Sequence, residues 1–396
     1  MTTNLASRAR APKKGSSGGF SLIELMVSLA IGLIVTLAIT GVLTRSEGLK
    51  RATTSVNDID QTGAYAAYVM DRALRGAGSG FMQTWSSGLG CRINAAKGGT
   101  VVMPVAGTLP MPFQALSPNV RLAPVLIGSG LSSAGSDTLT VLSGSAGYGE
   151  SALRVLTGSV TSSTIGLNNT LGFNPNDLVM IVEDGVGCMV QQVASTFVPT
   201  TVPNTGSANQ TLPLGGPYAS ATGTDANLTQ YGVSGNALLV SLGNTAHTSQ
   251  FESFGVGDNN TLYSYDYLQL NSTQSIPLAD GVVEMRALYG VDTNLDGVLD
   301  GWQTPTGTYD YSVLNAGTAA ARTTLRTIVS IKVGFILRTS LRERDPVTTA
   351  TGISLFTDMG APFTQTRTLS TDDQYFRFRT VEVTVPMRNV LMLGGS

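Results

Sequence analysis

One ionisable side chain, Glu24, stands inside the stretch 18–43, GGFSLIELMVSLAIGLIVTLAITGVL. A carboxylate carried to the centre of a bilayer costs roughly 2.5–3.5 kcal/mol on insertion scales, so a sequence that keeps one has a use for it. The chemistry open to it is charge pairing. If Phe20 becomes a chain terminus, its ammonium lies one helical turn from Glu24, and copies packed side by side let Glu24 of one subunit neutralise the terminal amine of another. A second set of groups is 292–300, DTNLDGVLD, with oxygen side chains at alternate residues and Gly297 where a calcium loop turns sharply. Asp292, Asn294, Asp296 and Asp300 offer side-chain ligands and Val298 its carbonyl, for Ca²⁺ at an affinity of about 0.1–1 mM. The twelfth position is Gln303 where an EF-hand has Glu, and an Asx-rich hairpin turn is the other reading of the same residues.

These groups need elements to hold them. The 18–43 stretch carries about 25 apolar or small residues, enough at 1.5 Å of rise each to cross a bilayer core as a helix. Ahead of it Arg8, Arg10, Lys13 and Lys14 stand without an acidic residue, a flank that stays on the cytoplasmic side and directs the rest of the chain outward. The polar-to-apolar boundary falls at Gly19 and Phe20, before the apolar core, whereas a secretory signal is cut after its core. Cys91 and Cys188 are the only cysteines. In an oxidising compartment they are expected to form a disulfide, with two buried free thiols as the alternative.

Beyond Leu43 the pattern turns amphipathic. Val56, Ile59, Gly63, Ala66, Met70, Ala73 and Ala77 recur at three- and four-residue steps, which predicts that the helix continues to about Arg75 and lays this stripe on a sheet. Gly41 and Gly48 weaken it between its halves. Glycines 76, 78 and 80 supply a stop. Strands are predicted at 137–142, 177–182 paired as a hairpin with 188–193, 261–263, 282–289, 325–337 and 375–387. In 325–337 the odd positions face a core while Arg326, Ser330, Lys332 and Arg338 face solvent; in 375–387 a bulge near Arg379 and Thr380 reconciles Phe376 and Phe378 with Val381, Val383 and Val385. The stretch 194–229, rich in Thr, Asn, Gly, Pro and Ser, reads as a low-complexity surface insertion.

Composition excludes several functions. The single histidine, His247, rules out His-dependent triads and multi-His zinc sites. No Walker loop or dinucleotide fingerprint follows a strand. Without the four basic residues before Gly19, 20 basic side chains face 26 acidic ones, a balance that gives no reason to bind nucleic acid. Arg322, Arg326, Lys332, Arg338, Arg342 and Arg344 read as a solvated strand face. Enzyme activity is not expected.

The run Gly-Phe-Ser-Leu-Ile-Glu-Leu-Met at 19–26 resembles the processing site of type IV prepilins and type II secretion pseudopilins. The resemblance implies cleavage between Gly19 and Phe20 by a prepilin peptidase, N-methylation of Phe20, and Glu24 at the fifth mature position. Where major pilins often have a proline, this chain has Gly41. The segments 69–78 (VMDRALRGAG), 173–179 (FNPNDLV), 277–282 (PLADGV) with 289–292 (YGVD), and 378–389 (FRTVEVTVPMRN) look like the PilW family of type IV pilus assembly proteins. The implied fold is α+β and pilin-like: a cleaved leader 1–19, a transmembrane or filament-core half-helix 20–44, an amphipathic half-helix 45–78, and a large antiparallel β-rich domain 79–396. The implied role is a minor pilin that initiates pilus assembly in a tip complex, with other minor pilins, major pilin, prepilin peptidase, the inner-membrane assembly machinery and a tip adhesin as partners. It implies an inner-membrane location with the β domain periplasmic, then the pilus or cell surface. A type II secretion pseudopilin and an adhesive tip module are the alternatives.

Overall fold

The structure, a computed structural model, describes residues 19, 21–144, 151–198, 210–244 and 250–392. A single helix runs Leu22–Gly76, uninterrupted at Gly41 and Gly48. The chain divides into two compact units, Met1–Ser55 and Val56–Ser396.

In the first unit the large apolar side chains from Leu22 to Leu43 are exposed, from 49% at Val35 to 78% at Leu22. The helix is long and apolar enough to cross a membrane. Its hydroxyls are satisfied in place. Ser28 donates to the Leu25 carbonyl, Thr36 to Gly32 and Leu33, Thr40 to Thr36 and Leu37, and Thr44 to Thr40 and Gly41, all at 2.9–3.1 Å. A hydroxyl bonded back to its own helix brings no unpaired donor into apolar surroundings, so these four residues do not interrupt the span.

In the second unit the predicted stripe is buried at Ile59, Gly63, Ala66, Met70, Ala73 and Ala77, joined by Leu74, while Val56 is half-buried. Gly63 sets the approach of helix to sheet: a Cβ there would lie 2.8 Å from Val381 Cγ2 and 3.3 Å from Leu337 Cδ1. The helix stops where Gly78 and Gly80 adopt φ of +79° and +82°, conformations that cost glycine no Cβ clash. Asn389 Nδ2 donates to the end carbonyls of Gly76 (3.3 Å) and Ala77 (3.0 Å), filling two acceptors the helix leaves open.

Among the described residues the strands gather into three main sheets. The first orders Thr100–Met103, Ile93–Lys97, Gly187–Gln192, Asp177–Glu183, Leu238–Asn244 and Leu153–Arg154. The second orders Ile276–Asp280, Thr261–Asp266, Gln250–Val256, Thr138–Ser143 and Val125–Gly128, and the third Gly301–Gln303, Val282–Val291, Ile328–Arg338 and Phe378–Pro386. The predicted hairpin Asp177–Glu183 with Gly187–Gln192 is present. All pairings in these sheets are antiparallel except one, Ile93–Lys97 beside Gly187–Gln192, which places Ile93 opposite Cys188. Parallel neighbours need a long crossover, and nearly ninety residues separate these two strands.

Three expectations are corrected. The segment predicted as one strand from 325 is helical over Ala319–Thr327, capped by Thr318 Oγ1 accepting from Ala321 N, and the strand is Ile328–Arg338. This strand is paired on both edges and buried on both faces. Ile331, Val333, Phe335 and Leu337 join the main core, while Ile336 packs with Val283, Leu288, Leu355 and Phe356 in a smaller one. The cover on that second face includes the hairpin strands Gly352–Leu355 and Gln365–Thr368, and a Cβ on Gly334 would lie 2.9 Å from Phe356 Cε1. The last strand pairs without a shift from Ser330↔Pro386 to Arg338↔Phe378, so no bulge is present. Val381, Val383 and Val385 pack on the main core and Phe378 on the smaller one, which accounts for both parities at once. Of the 194–229 stretch, 194–198 and 210–229 are described, and Leu212, Tyr218 and Leu228 are buried there.

Candidate functional site

Glu24 sits in the first turn of the long helix, and its Oε2 accepts from Ser21 N at 3.1 Å, while Ser21 Oγ accepts from Ile23 N at 3.3 Å. The first amides of a helix have no partner within it, and these two bonds serve two of them. The spacing Ser21-Leu-Ile-Glu24 is that of a capping box, a signal legible in the sequence beside the charge itself. Glu24 therefore has a local partner inside its own chain, and its second oxygen is open to another. Gly19 is exposed; the predicted cleavage partner Phe20 lies outside the described residues, as does His247.

The 292–300 loop joins strands Val282–Val291 and Gly301–Gln303. Asp292 accepts from Asp296 N (3.2 Å) and Gly297 N (2.7 Å), Asn294 Oδ1 from Asp296 N (3.0 Å), Asp296 from Val298 N (2.8 Å), and Asp300 from Thr293 N (2.7 Å) and Oγ1 (2.6 Å). The oxygens expected to hold Ca²⁺ are spent on local backbone amides, the Asx-turn chemistry of short polar side chains. Among the described residues no group of three His, Cys, Asp or Glu side chains is placed to hold a metal. Calcium finds no support, and no cofactor is indicated.

Of the basic residues predicted as a solvated face, Arg322, Lys332, Arg338 and Arg342 are paired with carboxylates. Lys332, 8% exposed, lies 2.9 Å from Asp358 and 3.4 Å from Glu382; Arg322 lies 3.2 Å from Asp184, Arg338 3.2 Å from Asp373 and Arg342 3.2 Å from Asp372. Arg326, Arg338 and Arg342 stack on Trp85, Phe376 and Tyr375 at 4.1, 4.2 and 3.7 Å.

The disulfide Cys91–Cys188 is formed, with Cα atoms 5.8 Å apart, and ties the segment before Ile93–Lys97 to the neighbouring strand Gly187–Gln192.

A carboxylate pair lies in the second sheet, where Glu252 stands opposite Asp266. Burial, and then the Asp266 charge, push the Glu252 carboxyl up to about 7, with Arg72 of the long helix opposing. Asp266 is itself raised by burial; its carboxylate accepts from Leu268 N (2.9 Å) and Leu270 N (2.7 Å), and Lys97 lies near it. An acid whose folded pKa exceeds its unfolded value of about 4.5 is most stabilising to the fold while protonated, so its contribution falls as pH rises through about 7. From Glu252 the expected loss between pH 5 and pH 8 is roughly 2–3 kcal/mol. Glu252→Gln should flatten the urea-midpoint profile over this range and be the more stable protein at pH 8. Parallel profiles for the two proteins would contradict the assignment. Asp137 and Asp177, raised by burial, act in the same direction, so the difference between variant and parent isolates Glu252.

Two family models match the chain: Type IV Pilus-assembly protein W over residues 252–389, and the prokaryotic N-terminal methylation motif over residues 14–40. The first spans the carboxylate pair, the 292–300 loop and all of the four-stranded sheet; the segments 69–78 and 173–179 lie outside both matches. No curated protein and no solved structure matches significantly. The family that matches residues 252–389 is a pilus assembly family, which is structural and implies contact with other pilus components, and the apolar helix fits a membrane-anchored pilin. With an N-terminal methylation motif over residues 14–40 and the pilus-assembly model over 252–389, the chain is similar to PilW-family pilins in these two segments.

Proposed function

We propose that this protein is a minor pilin that takes part in starting type IV pilus assembly, within a tip complex of minor pilins. The leader 1–19 is removed between Gly19 and Phe20 by a prepilin peptidase and Phe20 is N-methylated. The helix 20–44 then anchors the protein in the inner membrane, with the domain from residue 79 in the periplasm, and later packs in the filament core against other minor pilins and major pilin. No reaction on a substrate belongs to this role.

The observation that carries the proposal is the polarity of the helix. The hydroxyls of Ser28, Thr36, Thr40 and Thr44 are bonded internally, and Glu24 is the only ionisable side chain in the span, so its charge is what calls for a partner. A neighbouring subunit's terminal ammonium supplies it, and two costly charges offset each other. Glu24→Ala is expected to leave the protein cleaved and membrane-inserted but to lower its recovery in sheared pili at least about tenfold, a coupling of about 1.4 kcal/mol or more. Glu24→Asp, with a shorter reach, should fall between. Normal recovery of the alanine variant would contradict charge pairing. If deletion of the protein abolishes enzyme secretion and leaves pili intact, the pseudopilin role replaces this one.

A further inference from the structure

A pocket of about 300 Å³ opens between the turn at 184–187 and the segment 87–92, next to the Cys91–Cys188 disulfide. At about 30 Å³ for each water, it holds about ten waters or a group the size of a small dicarboxylate. Three guanidiniums line it, Arg92, Arg121 and Arg322, against two carboxylates, Glu183 and Asp184. Four glycines in its wall leave these groups uncovered.

The donors differ in what they have left to give. Arg322 is spent on the Leu89 carbonyl (3.1 Å), the Ser86 carbonyl and Asp184 (3.2 Å). Arg92 is bonded to Asp225 (2.7 Å) and Asn119 (2.8 Å), while its buried Nε has no partner. Arg121 has no carboxylate partner among the described residues. Its Nη1 donates to the Gly90 carbonyl at 3.1 Å, and its Nε and Nη2 make no bond there. Its guanidinium packs against Gly317, where a Cβ would collide with Nη1, and its backbone amide is fixed separately by donating to Asn315 Oδ1 at 2.9 Å. Glu183 makes no ion pair with it; its carboxylate accepts instead from Gly232 N (2.7 Å) and Ser234 Oγ.

A positioned, half-buried guanidinium without a counter-charge is a cost that a planar oxyanion, bonded through two N–H groups, offsets. We propose that this pocket is a carboxylate-binding site with Arg121 as its principal ligand. The carboxylate is either a free small molecule or an acidic side chain of another pilus component, and the proposal does not depend on the filament role above.

The test is isothermal titration of the full-length, detergent-solubilised protein with sodium succinate, against sodium chloride at matched ionic strength. Saturable one-site binding of succinate and none of chloride is expected. Arg121→Ala should weaken it at least about tenfold, and Arg121→Lys, which keeps the charge and loses the fork, should fall between. The thermal midpoint of each variant without succinate checks that it is folded, and the lysine variant carries the comparison if the alanine variant is not. No saturation up to tens of millimolar, or equal binding by parent and both variants, overturns the proposal. Crosslinking in cells then separates the sources. Loss of a pilus-component crosslink in Arg121→Ala identifies a protein carboxylate, and an unchanged pattern beside lost succinate binding identifies a free one.

Discussion

Replacing Asp137 by alanine is expected to cost the second unit about 3–5 kcal/mol, a large part of the 5–15 kcal/mol by which folded domains exceed their unfolded chains. Asp137 is 3% exposed at the start of strand Thr138–Ser143 and holds two sheets together. Its Oδ1 accepts from Gly130 N and Arg286 Nη1, and its Oδ2 from Ala287 N, each at 3.0 Å. Around it Asp137 N donates to the Met285 carbonyl at 2.9 Å, Ser136 Oγ accepts from Met285 N at 3.1 Å, and Arg286 reaches Glu284 at 2.6 Å. Burial raises the Asp137 carboxyl against the pull of Arg286, so the charge is tolerated only because all three donors converge on it. Alanine strands the buried Ala287 amide, the Gly130 amide and half of a guanidinium, and orphaned partners dominate such losses. Asparagine keeps the shape and one acceptor and should lose about half as much. Urea unfolding of the full-length proteins measures the difference. Coincident midpoints for parent and alanine variant would show that this network does not join the sheets.

Loss of the disulfide comes second, at about 3–5 kcal/mol. The bond closes a loop over a sequence separation of 97 residues. For a loop near one hundred residues, the chain-entropy account gives about 4.7 kcal/mol of constraint on the unfolded chain, of which native packing returns a part. The double variant Cys91→Ala, Cys188→Ala should therefore melt several degrees below the parent, and dithiothreitol should lower the parent's midpoint while leaving the variant's in place. Equal midpoints for oxidised and reduced parent would remove the disulfide from the stabilising contacts.

The long helix and its stripe could be read from the sequence because three- and four-residue spacing of Ile59, Ala66, Met70 and Ala73 has no strand equivalent. The hairpin at 177–192 was equally legible from its turn residues and β-branched runs. The strand Ile328–Arg338 was not, because alternation suggests one buried face, and only the packing of Phe356 and Leu355 over Gly334 and Ile336 reveals a second. Lys332 looked like a solvent position for the same reason. Its charges, Asp358 and Glu382, come from segments that no local pattern places beside it. The loop 292–300 shows the converse limit. Alternating oxygens satisfy the calcium pattern and the Asx-turn pattern alike, and hydrogen bonds from backbone amides decide between them. At the N-terminus the Glu24 charge was conspicuous, whereas its cap on Ser21 needed the Ser-x-x-Glu spacing to be read as a helix start.

Whether the chain is processed and used as a pilin is decided by intact mass spectrometry of the protein from sheared pili. The expected mass is that of residues 20–396 with one added methyl group and the intramolecular disulfide, with an N-terminal peptide beginning at N-methylated Phe20. A chain that keeps Met1, or one cut beyond Leu43 as a secretory signal would be, contradicts it.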